Sequence, residues 1–370
     1  MNEYIANRMN GIDASGIRKV FDLAAKMEHP INLSIGQPHF DVPDPVKKAA
    51  NEAVLAGKNR YTPTQGIEPL RNALRKELLS EFGWSDAMER PMLITSGVSG
   101  ALKLAFAVTI NPGDEVILFD PYFVMYKHLT ALYGGVPVLV DTYPDFTPKS
   151  EDIEKAITSK TKIICLNTPC NPTGQIYTKE CLKAIADIAR KHNILVISDE
   201  IYNFYCYDNK FESMAKYYEK TLLMRGFSKS HSMTGWRMGW VTGPKNVVEK
   251  MTILQQYSFV CAPSVAQEAT LVALKTNMDD KIADYKVKRD LVYNGLKDKF
   301  NLVCPHGAFY AFVPVPESMT ATDFVTKAIQ NNVLLIPGNV FSSKDTHFRL
   351  SFAAKDEDIK QGIDILNSLV

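Results

Sequence analysis

The middle of this chain predicts an α/β fold: a mostly parallel sheet with helices on both faces. Three observations carry that expectation. Short β-rich runs alternate with helical patterns between residues 115 and 224. The strand runs are apolar throughout, as strands covered on both faces must be. The residues with evident chemistry follow directly after those runs, where ligands of open α/β sheets bind.

Residues 115–119 (EVILF) read as a strand entered through the turn Asn111-Pro112-Gly113-Asp114. Residues 122–133 read as a helix. Residues 136–140 (VPVLV) read as a strand whose Pro137 suits a strand start or an edge. Ser150 then caps a helix with Glu151, Asp152 and Glu154 set favourably against the helix dipole. Residues 162–167 form the next strand. The helix over 179–192 places Leu182, Ile185, Ala186 and Ala189 on one face at i, i+3, i+4 and i+7. Residues 194–198 (ILVIS) and 221–224 (TLLM) read as two further strands.

The C-terminal part differs. Residues 307–314 (GAFYAFVP) and 347–352 (HFRLSF) are strand-like, with helices over 322–331 and 356–369 around them. That pattern predicts a smaller α+β domain, with a boundary near residue 280. At 370 residues the chain is long for one core and suggests two domains.

Composition excludes several classes. A net charge of +1 gives no electrostatic footprint for nucleic acid or an anionic membrane. No run approaches the roughly 20 apolar residues of a membrane span. Residues 1–11 lack the apolar core of a signal peptide. The six cysteines show no metal-type spacing, so no metal is expected and a cytoplasmic setting is.

The chemistry concentrates in Gly226-Phe227-Ser228-Lys229-Ser230-His231-Ser232-Met233-Thr234-Gly235-Trp236-Arg237. A lysine in a small-residue turn, followed by an arginine, suits pyridoxal phosphate. Its aldehyde condenses with an amine and its phosphate needs a charged clamp. Asp199 follows a strand and suits the protonated pyridine nitrogen, although turn aspartates are common there. Asn171, in Asn171-Pro172-Thr173-Gly174, and Tyr202 suit the ring's phenolic oxygen. Arg237 offers phosphate a bidentate fork. Thr95-Ser96-Gly97-Val98-Ser99-Gly100 reads as a small-residue loop opening a helix near Ala101, with free N–H groups for an anion. Arg349 sits inside an apolar strand and needs either a carboxylate partner or a ligand.

With these motifs the chain resembles the class I/II aminotransferases of pyridoxal-phosphate fold type I. Ser34-Ile35-Gly36-Gln37-Pro38, Tyr61-Thr62-Pro63, Ser198-Asp199-Glu200-Ile201-Tyr202 and Arg349-Leu350-Ser351-Phe352 carry the resemblance further. It implies a large domain over 45–280 and a discontinuous small domain from 1–44 and 281–370. It implies Lys229 as Schiff-base lysine and proton carrier, Asp199 at the ring nitrogen, and Tyr202 with Asn171 at the phenolic oxygen. Arg237 and the backbone of Val98 and Ser99 would hold the phosphate, and Phe123 would stack on the ring. Arg349 would clamp the substrate α-carboxylate, helped by Asn171 and the Gly36 backbone. Tyr61 would reach the neighbouring subunit's phosphate, so a homodimer is expected. Gly226 departs from the hydroxyl residue frequent three positions before the lysine, so one phosphate hydrogen bond is either missing or supplied by Ser228 or Ser230. Ser342 stands where glycine is frequent.

The implied function is ping-pong transamination through a Lys229 aldimine, between an L-amino acid (aspartate, aromatic or broad) and a 2-oxo acid such as 2-oxoglutarate. A carbon–sulfur β-lyase on the same scaffold is the alternative. A non-catalytic cofactor-binding regulator would add a DNA-binding segment, and none is seen. Some aspartate-specific relatives carry a lysine where Ala107 aligns, one turn beyond Lys103; Tyr122, Phe123, Tyr205 and Phe309 would suit aromatic substrates or serve as packing.

Overall fold

Neighbouring residues on the central strands point to opposite faces, and both faces are buried. Val116 and Leu118 join one apolar cluster while Ile117 and Phe119 join another; Ile163 and Cys165 separate from Ile164 and Leu166 in the same way. A strand apolar at every position is stable only between two layers of helix. The computed structural model describes all residues except 1–3, 14–15, 18–19, 21–24, 26 and 209. The expected N-terminal segment 1–44 therefore lies partly outside the described residues.

The first strand, β1 (Ile31–Asn32), stands apart from the main sheet. Helices α1 (Asp44–Leu55) and α2 (Glu68–Phe82) precede that sheet. Its seven strands are β2 (Met92–Ser96), β3 (Glu115–Asp120), β4 (Val136–Asp141), β5 (Thr161–Asn167), β6 (Leu195–Asp199), β7 (Thr221–Gly226) and β8 (Met238–Thr242). They lie in the order β2-β8-β7-β6-β5-β3-β4. β8 runs antiparallel to both neighbours and the other pairs are parallel. Helices α3 (Gly97–Thr109) and α4 (Val124–Leu132) pack on one face, with α5 (Ser150–Ala156) and α6 (Lys179–Lys191) on the other. Thr178 caps α6 by accepting from the Cys181 N–H at 3.2 Å. Leu182, Ile185, Ala186 and Ala189 are buried on its inner face, each large one contributing about 2 kcal/mol.

Helices α7 (Lys245–Gln256), α8 (Ser264–Ala273) and the long α9 (Asp279–Phe300) lead to a second sheet. Its strands are β9 (Tyr310–Pro314), β11 (Ile336–Pro337) and β12 (His347–Ser351), antiparallel in the order β11-β12-β9. Between them lie α10 (Ala321–Gln330) and β10 (Val333–Leu334); α11 (Asp356–Ser368) closes the chain. β10 pairs in parallel with β1, and the Ser351 N–H donates to the Leu33 carbonyl. The N-terminal segment thus lies against the C-terminal strands.

Two local expectations change. Residues 97–100 are the first turn of α3 rather than a loop, because Gly97, at φ +66°, turns the chain out of β2 in one residue. Ser150 is the first helical residue of α5. The cap is Lys149, whose extended backbone lets its carbonyl accept from the Asp152 and Ile153 N–H groups without a side-chain cap.

Candidate active site

Three adjacent strands end side by side. Asn167 at the end of β5 pairs with Asp199 at the end of β6, which pairs with Met224 in β7. The loops beyond carry Asn171, Tyr202 and Lys229 into one cavity of about 290 Å³. The first turn of α3 brings Val98 and Ser99 to it, and β12 brings Arg349. Gly36, Phe123, Ser228 and Arg237 also line it.

Asp199 is buried. One carboxyl oxygen accepts from the Tyr126 hydroxyl at 2.8 Å, and the other from the Ile201 N–H at 3.1 Å. Loss of hydration raises its pKa to about 6 despite those donors. The Asn167 amide donates to the Asp199 carbonyl and its oxygen accepts from the Asn171 N–H, each at 2.8 Å. Asn167 therefore ties the two loops together.

The Lys229 amine donates to the Gly36 carbonyl. Burial, then the charges of Arg349 and Arg237, lower its pKa to about 8. A neutral amine, able to act as nucleophile or base, is thus within reach near neutral pH. The Tyr205 hydroxyl holds the Lys229 carbonyl at 2.8 Å and so fixes the backbone below the amine.

At the other end, Arg237 lies under the start of α3. It donates to the Thr234 carbonyl at 2.9 Å, while the Gly97 N–H donates to the Arg237 carbonyl at 3.0 Å. A Cβ on Gly97 would meet the Arg237 guanidinium at 2.5 Å, so glycine is needed for space as well as for φ. First-turn N–H groups have no helical acceptor, and beside a guanidinium they form an anion cradle. Gly226 has its own reason: a Cβ there would lie 2.8 Å from the Met238 carbonyl. Ser228 lines the cavity, whereas the Ser230 hydroxyl is bonded to His231.

Arg349 is 1% exposed. It donates to the Asn171 side-chain oxygen at 3.0 Å and to the Ser34 carbonyl at 2.7 Å. Its guanidinium lies between the rings of Tyr310, at 4.5 Å, and Phe341, at 4.7 Å. Among the described residues its Nε has no hydrogen-bond partner and no carboxylate pairs with it. A buried cation held only by neutral groups is a receptor for an anion.

Some expected residues lie elsewhere. Tyr61 is 85% exposed, in a surface hollow with Arg60, Phe259 and Cys261. Tyr122, Tyr205 and Phe309 are buried in the core and do not line the cavity, so of the four aromatic residues only Phe123 faces it. Lys103 is exposed, and neither it nor Ala107 lines the cavity. Sequence reasoning missed Tyr126, Asn167 and Tyr310. Tyr126 lies in the first turn of α4, three residues after Phe123 at its N-cap, and that spacing is the available signal. The cavity's apolar wall comes from Ile17, Leu102, Phe123 and Ile201.

A family model described as aminotransferase class I and II matches residues 28–366. The chain is 37% identical to a Methanocaldococcus jannaschii protein named probable aspartate aminotransferase, across 99% of each. It is 33% identical to aromatic-amino-acid aminotransferase 2 of Thermococcus litoralis, across 99% of this chain and 98% of that protein. Among solved structures, the aspartate aminotransferase from Thermus thermophilus with maleate matches with a TM-score of 0.91 at 33% identity, covering 99% of both chains.

Proposed function

This chain belongs to the class I and II aminotransferases, a family of pyridoxal-phosphate enzymes, and from that we propose how its own residues hold the cofactor and move the amino group. The named relatives favour amino transfer over a carbon–sulfur lyase. The observation that carries the reading is Arg349, a buried cation without a carboxylate partner among the described residues, facing the same cavity as a lysine of lowered pKa.

The cavity suits pyridoxal phosphate. Asp199 is a desolvated carboxyl that ionises readily only when a cation faces it, as a protonated pyridine nitrogen would. Arg237 and the Val98 and Ser99 N–H groups would hold the phosphate, with the Ser228 hydroxyl beside them. Tyr202 and Asn171 would bond the phenolic oxygen, Phe123 would lie against the ring, and the Lys229 amine would anchor the aldehyde. When bound, the cofactor supplies a carbon that carries the amino group and a ring that takes up electrons released at the substrate's α-carbon.

Arg349 takes the substrate's α-carboxylate, with the Asn171 side chain and the Gly36 backbone completing that end. Fixing the carboxylate aims the α C–H at Lys229. The neutral Lys229 amine takes that proton and keeps it inside the cavity for return. Tyr202 lines the cavity beside it, and the apolar wall limits water. A 2-oxo acid such as 2-oxoglutarate then receives the amino group at the same residues. Aspartate and aromatic amino acids are the proposed donors.

Residues 45–280 form the proposed large domain, and the flanking segments form the small one. Tyr61 and Tyr257, both more than four-fifths exposed, belong to a proposed homodimer interface through which Tyr61 reaches the partner's phosphate. The setting is cytoplasmic, as free thiols suit. Incubating the holoenzyme with 2-oxoglutarate and a panel of L-amino acids tests the function. Glutamate formed with aspartate or an aromatic donor supports it; pyruvate and ammonia from cysteine conjugates, without glutamate, would overturn it.

A further inference from the structure

Two phenols meet at the base of the cavity. The hydroxyls of Tyr202 and Tyr310 lie 2.9 Å apart, both side chains are buried, and each is the other's hydrogen-bond partner among the described residues. One shared bond uses one proton, so the other hydroxyl proton is left for a ligand. Tyr310 also carries the Arg349 guanidinium over its ring. Its hydroxyl fills the space beside Gly36, where a Cβ would come within 2.6 Å of it, and the Gly36 carbonyl is the acceptor for Lys229. Tyr310 therefore touches the supports of three groups given roles above.

We propose that Tyr310 is a positioning residue for amino transfer: its hydroxyl donates to Tyr202 and leaves the Tyr202 proton directed into the cavity. This rests on the proposed roles of Tyr202 and Lys229. The direction of the shared bond follows from Arg349. Burial raises the pKa of both phenols; Arg349 opposes it at both, as the largest opposing cause at Tyr310, whose ring it faces at 4.5 Å, and as a smaller one at Tyr202, so Tyr310 is the better donor of the pair. A phenol that accepts one hydrogen bond donates a stronger one, so Tyr310 strengthens the bond that Tyr202 makes to a ligand oxygen.

The test is a pH titration of the visible absorbance band of the holoenzyme, in wild type and in Tyr310→Phe. The substitution keeps the ring under Arg349 and removes only the hydroxyl. A visible band in wild type tests the cofactor reading by itself; its absence would sink that reading before Tyr310 is considered. Given the band, Tyr310→Phe should raise its titration midpoint by roughly half a unit to one unit, the size of one lost neutral hydrogen bond. It should lower kcat about fivefold with KM for the amino acid little changed. In a Tyr202→Phe background the same substitution should add no further shift. The buried Tyr218, bonded to the Ala189 and Ile194 carbonyls, supplies the control: Tyr218→Phe should leave the midpoint unmoved. If Tyr310→Phe does not fold, Tyr310→His tests the same bond by the same titration. An unmoved midpoint in the folded variant, or an equal shift in the Tyr202→Phe background, would overturn the proposal.

Discussion

Tyr126, on α4, donates its hydroxyl proton to the Asp199 carboxylate at 2.8 Å, joining a helix on the sheet's face to the end of its central strand. The bond opposes the desolvation that raises the Asp199 pKa and so favours the anionic form that a pyridinium needs. Tyr126→Phe should weaken cofactor affinity about fivefold to tenfold, measured by absorbance titration of the apoenzyme. Unchanged affinity would remove Tyr126 from the account.

The same carboxylate makes the apoenzyme's stability depend on pH. An unfolded aspartate ionises near 3.8, and Asp199 in the fold at about 6. Between those values the folded chain binds more protons, so stability present at low pH is lost as pH rises through that window. Roughly two units correspond to about 3 kcal/mol. Asp199→Asn cannot ionise. At mildly alkaline pH its apoenzyme should melt a few degrees above wild type, and the gap should close below about pH 4. Differential scanning calorimetry reads both limbs; a pH-independent gap would contradict the argument.

Arg349→Lys keeps the charge and loses the planar fork. KM for the amino acid should rise roughly 30- to 100-fold, while the holoenzyme's absorbance spectrum stays unchanged. A variant that loses the spectrum as well would place Arg349 in the cofactor's support rather than the substrate's.

Gly97→Ala tests the phosphate end. The residue has φ +66°, and its Cβ would press on the Arg237 guanidinium. Strain of about 1–2 kcal/mol is expected, with a lower melting temperature and about tenfold faster loss of cofactor on dialysis. Wild-type retention would mean that the cradle is elsewhere.

Much of the site was legible because its residues stand in short local patterns. Lys229 and Arg237 share one loop, Asp199 and Tyr202 one turn, and Arg349 breaks an apolar strand. The partners that tune them were not legible. Tyr126 reads as an ordinary core position of a helix, and Tyr310 as one member of an alternating strand; only strand pairing and helix packing bring them to Asp199 and Tyr202. The start of α3 reads as a loop because a glycine that ends a strand and one that opens a helix look alike in sequence. β8 is not among the strands read from the sequence, and its antiparallel course is set by its neighbours.

The central claim concerns one amine. The holoenzyme should be reduced with borohydride, digested, and mapped by mass spectrometry for peptides carrying a pyridoxyl phosphate group. The account expects the group on Lys229, with Lys229→Ala giving no labelled peptide and almost no turnover. Labelling of another lysine at full yield, or near wild-type turnover in Lys229→Ala, would contradict it.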